Sequence, residues 1–186
     1  MKELSLNILD ILENSIHAGA TRIHLTLQEF IEKKDYLSFS IEDNGKGMDQ
    51  TMVDSLFDPF TTTSTTKTVG LGLPLLKQEA EMCGGGAEIK SKPGEGTVVS
   101  FWFQHSHIDR PPLGDIVSTI VMMYAVHSHL EFVFTHEVDE DSFEISTSEL
   151  KSVFEDVPLN NPKVLLGIES FLIENKNQLY GGKQYG

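Results

Sequence analysis

An α/β chain is expected from three features of the sequence. Residues 6–20 carry Ile8, Ile11, Leu12 and Ile16 at spacings of three, one and four, the recurrence of a helix with one apolar face. Residues 22–27 and 37–42 alternate apolar with polar side chains, the period of strands buried on one side. The glycine pair Gly70 and Gly72 opens a second helical stretch that Gly84-Gly85-Gly86 closes, and two further strand patterns follow.

The first helix carries a polar stripe as well as an apolar one. At about 100° per residue, Asp10, Asn14 and His17 fall within roughly 60° of one another on a separate face. A solvated surface has this pattern; so does a site where a carboxylate, an amide and an imidazole work together. Gly19 is placed to end the helix as a left-handed C-cap.

Ile23, Leu25 and Leu27 then alternate with Arg22, His24 and Thr26, and after the charged turn 32–35, Leu37, Phe39 and Ile41 alternate with Ser38, Ser40 and Glu42. This predicts a β-hairpin. It ends in Asp43-Asn44-Gly45-Lys46-Gly47-Met48. Asn-Gly by itself signals only a turn, but two glycines also permit backbone conformations or close approach that a Cβ forbids. A carboxylate held at this strand end suits the exocyclic amine of adenine. Guanine offers a carbonyl at that position, so Asp43 would exclude it.

Asp49 is suited to cap a short helix with Met52, Val53, Leu56 and Phe57 inward, stopped before Pro59. The segment 61–68, TTTSTTKT, has almost nothing apolar to anchor it and reads as a lid or as a plain loop, with Lys67 just ahead of Gly70-Leu71-Gly72. Pro74 is tolerated because its missing N–H falls in the first helical turn. Glycines at a helix N-terminus leave N–H groups and the positive dipole end facing outward, which holds phosphate without net positive charge. The sequence lacks the P-loop pattern and the dinucleotide fingerprint. Strands are expected at 87–91 and 97–103, paired across Pro93-Gly94-Glu95-Gly96, the second apolar on both faces and therefore inside the sheet.

Composition limits the partners. The chain has 186 residues, 39% hydrophobic, and a formal charge of −14, which argues against holding nucleic acid or anionic lipid by bulk electrostatics. The lone Cys83 excludes an intramolecular disulfide. The N-terminus is acidic and amphipathic, unlike a secretory signal, and the apolar run 116–126 is shorter than the ~20 residues of a membrane span. A cytoplasmic protein with neither nucleic-acid nor membrane partners is expected.

Four motifs in order, ENSIHAGATRIHL, DNGKGM, LFDPFTTT and GLGLPLLKQEAEMCGGGAEIKSKPGEGT, span residues 13–97. Residues 3–104 thereby resemble the GHKL superfamily of ATPases, which includes gyrase B subunits, heat-shock chaperones, sensor histidine kinases and MutL proteins. The first motif is similar to the N box of MutL and the later ones to the glycine and F boxes of histidine kinases. The resemblance implies the Bergerat fold, an α+β sandwich with a mixed β-sheet and helices on one face, binding ATP between the N-box helix and the lid. It implies Asn14 as the ligand of a Mg²⁺ that bridges the phosphates; His17 stands where relatives often have Lys or Asp, as a phosphate donor contact or as neutral polar surface. Asp43 and a water held by Thr97 would read adenine, Gly45, Gly47 and Met48 would border the base, and Gly70, Leu71, Gly72 and Lys67 would receive the phosphates.

Asp10 stands four residues before Asn14, where hydrolysing relatives keep a glutamate that activates water. Aspartate is one methylene shorter, and a 1 Å misplacement can cost about 10²-fold, so slow hydrolysis is expected. Glu13 is the fallback base. The N box begins almost at Met1, leaving no room for a preceding phosphoacceptor helix pair, and a stand-alone domain is expected over residues 1–104.

Residues 105–186 read as a small α/β extension and possible partner surface. Helices are expected near 114–126, 148–154 and 162–174, and strands near 130–136 and 142–146. With 5 basic and 13 acidic residues, the region holds 5 − 13 = −8 of the charge. It faintly resembles stand-alone kinase-like ATP-binding proteins, some of which accompany iron hydrogenases. His105/His107 and His127/His129 form HxH pairs, but neither a cysteine nor HExxH accompanies them, so polar surface is the expected role. Two functions fit the whole: a Mg²⁺-dependent protein kinase or slow ATPase acting on a separate protein, and a non-catalytic switch that binds a protein when ATP orders its lid.

Overall fold

The computed structural model describes residues 3–58 and 72–181. In chain order they form α1 (Leu4–His17), β1 (Arg22–Phe30), β2 (Tyr36–Asp43), α2 (Gln50–Leu56), α3 (Gly72–Met82), β3 (Gly86–Lys92), β4 (Gly96–Gln104), α4 (Ile116–Val126), β5 (Glu131–Val138), β6 (Asp141–Ser146), α5 (Thr147–Phe154) and α6 (Pro162–Leu179). The strands make one mixed sheet ordered β3-β4-β2-β1-β5-β6. Only the β1–β5 pairing is parallel.

The strand registers decide which face is buried. Leu25 lies opposite Ile41 and Phe134, Leu27 opposite Phe39, Phe39 opposite Phe101, and Phe134 opposite Ile145. All are buried, so the alternation along each strand adds up to one apolar face across the sheet. The helices cover that face: α1 lies on β2, α3 on β3 and β4, and α6 on β5 and β6. The opposite face carries Thr26, Ser40, Ser100 and Thr135 in one cross-strand row. Here β4 departs from the expectation of two apolar faces. Val98 and Trp102 are half-buried on the open side, while Val99, Phe101 and Phe103 enter the core.

Local signals set the element ends. Gly19 follows α1 with φ +78°, and the Asp49 side chain accepts from the Met52 N–H to cap α2. Ser146 and Glu149 form a capping box at α5, and Asn161 with Pro162 starts α6. The C-terminal extension adds β5 and β6 to the free edge of β1. Its Ile120, Tyr124, Ile168 and Leu172 pack into the same apolar cluster as Leu12, Leu25 and Phe39, so strands on both sides of residue 104 share one sheet and one core. The α4 crossover supplies the connection that parallel pairing of β5 with β1 requires.

Candidate nucleotide site

Helix α1 and the end of β2 are tied together by Asp43. The residue is 8% exposed; Oδ2 accepts from the Ser15 hydroxyl at 2.7 Å and Oδ1 from the Gly45 N–H at 2.8 Å. Ser15 occupies an inward position on α1 beside Ile8, Ile11 and Leu12, where a buried hydroxyl needs a partner. Both carboxyl oxygens are thus held from two directions before any ligand arrives.

The turn after Asp43 is fixed as firmly. Asn44 Oδ1 accepts from the N–H groups of Thr21 (2.9 Å) and Arg22 (2.8 Å), its Nδ2 donates to Thr21 Oγ1, and the Lys46 N–H donates to Ala18 O. Gly47 has φ +66°, and a Cβ there would lie 1.9 Å from Lys92 O. A Cβ at Gly45 would meet Ala18 at 3.0 Å. Each of these glycines therefore makes room for the protein's own backbone.

Thr97 stands directly opposite Asp43 in the β2–β4 ladder. Its hydroxyl is 2.8 Å from Ser91 Oγ, which also accepts from the Met48 N–H at 2.8 Å and contacts Gly96 O at 2.9 Å. If Ser91 gives its one proton to Gly96 O, Thr97 must give its own to Ser91, leaving the Thr97 lone pairs to accept. Gly96 has φ +115°, and a Cβ there would fall 1.9 Å from Asp43 O. Ser15, Asn44, Ser91 and Gly96 thus frame the candidate base-reading group, although within the motifs it is neighbours such as Asn14, Asp43 and Thr97 that carry the assigned site roles.

On α1 the polar stripe is realised: Asp10 and His17 are exposed and Asn14 is half-buried. Glu13 turns to the extension, its Oε1 3.4 Å from His127 Nε2. Gly72 begins α3, which packs on α1, and among the described residues no atom lies within 4 Å of where its Cβ would be. Lys67, Gly70 and Leu71 lie outside the described residues.

Of the HxH histidines, His129 is exposed as expected, whereas His105 is drawn toward a buried carboxylate that also engages His136. His105 Nε2 contacts Glu29 Oε2 at 3.1 Å, and the buried His136 Nε2 contacts Glu29 Oε1 at 3.0 Å, where the Tyr180 hydroxyl also donates. Burial raises the Glu29 pKa, but the hydrogen bonds of His105, His136 and Tyr180 outweigh it and bring it down from 4.5 to about 2. Burial, followed by the charge of Glu29, pushes the Tyr180 phenol up. Among the described residues, no group of three or more His, Cys, Asp or Glu side chains is arranged to hold a metal, and no helix is long and apolar enough to cross a membrane.

The comparisons with known proteins fall on this same frame. The family described as Histidine kinase-, DNA gyrase B-, and HSP90-like ATPase matches residues 2–107. The chain belongs to this ATPase family. Among its relatives, sensor histidine kinase ZraS of Salmonella typhi is 30% identical over 95 residues, 51% of this chain and 20% of the kinase. Signal transduction histidine-protein kinase AtoS of Escherichia coli K12 is 36% identical over 89 residues, 48% of this chain and 14% of that protein. The matches thus cover a fifth or less of these two kinases and about half of this chain. A solved structure, the N-terminal domain of a DNA repair protein, aligns with TM-score 0.59 at 16% identity over 86% of this chain and 59% of that one. This shows the fold, and its reach exceeds that of the two kinase matches.

Proposed function

We propose that this family member binds Mg²⁺-ATP and acts as a regulatory protein kinase or slow ATPase on a separate protein. The observation that carries the reading is Asp43, whose two carboxyl oxygens are fixed by Ser15 and the Gly45 N–H beside Thr97. An acceptor held in place at a strand end selects an amino-purine at little ordering cost. Asn14 supplies a hard oxygen ligand, and one protein ligand suits Mg²⁺, which keeps waters and phosphate oxygens for its remaining positions. The bound Mg²⁺ would offset phosphate charge, which a chain of net charge −14 does not do by its side chains overall. The N-terminus of α3 would receive the phosphates, with Gly70, Leu71, Gly72 and Lys67 contributing.

Asp10, on the same helix as Asn14, is the candidate group to orient the attacking hydroxyl or water. Its shorter reach than glutamate favours slow turnover, which keeps a second reading in play: a nucleotide-dependent switch that docks a protein without transferring phosphate. Calorimetry tests the first step. ATP uptake with Mg²⁺, discrimination against GTP, and weakening in Asn14→Ala are expected; no ATP uptake by folded protein would overturn the reading. Incubation with γ-labelled ATP and cell extract separates the two functions. A labelled protein that disappears with Asp10→Asn supports the kinase, and nucleotide-dependent capture without label supports the switch.

A further inference from the structure

Helix α1 carries Asn14 and, through Ser15, fixes Asp43, so whatever holds α1 holds two parts of the proposed nucleotide site; the inference below rests on that reading. The first N–H groups of a helix have no partner within it. Glu3, at the N-cap of α1, supplies no side-chain cap. Residues from the segment between β4 and α4 do so instead: Pro112 O accepts from the Leu4 N–H and Leu113 O from the Ser5 N–H, each at 2.9 Å. Gly114 follows at φ +75°, so close to α1 that a Cβ would lie 2.6 Å from Glu3 Cβ and 2.6 Å from Ser5 Oγ.

The second hold is thirteen residues on from Gly114. His127, the C-cap of α4, places Nε2 3.4 Å from Oε1 of Glu13, the residue before Asn14. Residues 4 and 13 are about 13 Å apart along a helix, and the eleven residues of α4 span about 16 Å, so α4 bridges the two holds. It packs on α1 and is itself anchored through buried Ile116, Ile120, Met123 and Tyr124, whose hydroxyl donates to Ile145 O at 2.8 Å.

The geometry points to residues 112–114 and His127 as positioning residues for nucleotide binding: α4 with its flanks is a splint that sets the position of α1, and with it Asn14 and Asp43. A shift of α4 changes nucleotide affinity. By linkage, nucleotide changes the extension equally.

The test uses the full chain, Mg²⁺-ATP calorimetry and amide hydrogen exchange. In His127→Ala, ATP affinity should fall about fivefold, the size of a lost helix-positioning contact, and exchange should quicken in residues 4–17 but not in β1 or β2. His127→Gln, which keeps a donor, should recover most of the affinity. Gly114→Ala should act in the same direction more strongly; if it fails to fold, His127→Ala still decides. Mg²⁺-ATP added to the unaltered protein should slow exchange in residues 112–127. A merely structural contribution would instead quicken exchange across the sheet and leave the affinity of the folded fraction unchanged, which overturns the positioning role. Normal ATP uptake by the unaltered protein and by His127→Ala, with α1 exchange unchanged, overturns it too while sparing the ATP reading. No uptake by the unaltered protein overturns both.

Discussion

Ser15 and Asp43 are joined by a 2.7 Å hydrogen bond that spans twenty-eight residues of sequence and links α1 to the last residue of β2. The bond fixes one oxygen of Asp43, while the Gly45 N–H at 2.8 Å fixes the other. Removing the hydroxyl leaves Asp43 held on one side only. A hydrogen bond to a carboxylate is worth about 1.5–3 kcal/mol. We therefore predict that Ser15→Ala weakens ATP binding about tenfold or more and erodes discrimination against GTP, with both affinities measured by calorimetry.

Gly96 gives a harder test of the same corner. At φ +115° its missing Cβ would sit 1.9 Å from Asp43 O and 2.9 Å from Asn44 Cα, both backbone atoms that no rotamer change can move aside. Gly96→Ala should lower stability by about 2–4 kcal/mol, read from denaturant midpoints, and weaken ATP binding in whatever folded protein remains. Gly94→Ala is the control for conformational strain. It too has positive φ, +78°, but among the described residues no atom lies within 4 Å of its added Cβ, so its cost should stay near 1 kcal/mol.

Ser91 holds three groups at once: the Met48 N–H, the Gly96 carbonyl and the Thr97 hydroxyl. Ser91→Ala leaves the Met48 N–H without that partner and frees the Thr97 hydroxyl to rotate. The expected loss is about 1–2 kcal/mol of stability, with ATP affinity reduced less than in Ser15→Ala because Asp43 keeps both its own bonds. Thermal melts and calorimetry on the same samples check the ranking.

The elements were legible where a short-range pattern determines them. Alternation in β1 and β2, the recurrence in α1, Gly19 as the left-handed residue just past the Ala18 C-cap and Asn161-Pro162 at α6 all depend on residues within a turn or two. The ordered motifs also located Asp43 and its ladder partner Thr97. Ser15 and Ser91 escaped because a serine in an apolar pattern says only that a partner is needed, and the partner of Ser15 lies twenty-eight residues away. Glu29 escaped for the same reason on a larger scale. Its inward register follows from Ile23, Leu25 and Leu27, but the groups that neutralise its burial are 76, 107 and 151 residues distant. His105, expected on the surface because no other metal-ligand motif accompanies its HxH pair, is drawn inward by that carboxylate.

Glu29 ties β1 to three parts of the C-terminal region, through His105, His136 and Tyr180. Burial opposes its ionisation, yet these hydrogen bonds bring its pKa from 4.5 down to about 2. A folded-state pKa below the unfolded one means that the unfolded chain takes up the proton more readily, so the stabilisation is complete above about pH 4.5 and fades as the pH falls toward 2. Its size is about 3 kcal/mol, from about 1.4 kcal/mol for each pKa unit. Glu29→Gln keeps the shape but removes the charge that its three partners serve. It should therefore lower stability at pH 7 and flatten the dependence between pH 4.5 and 2.5 relative to the unaltered protein, measured by urea unfolding at each pH. Tyr180→Phe removes one of the three bonds and should fall between the two. Parallel pH profiles for the unaltered protein and Glu29→Gln would mean that the carboxylate does not hold the extension to the sheet.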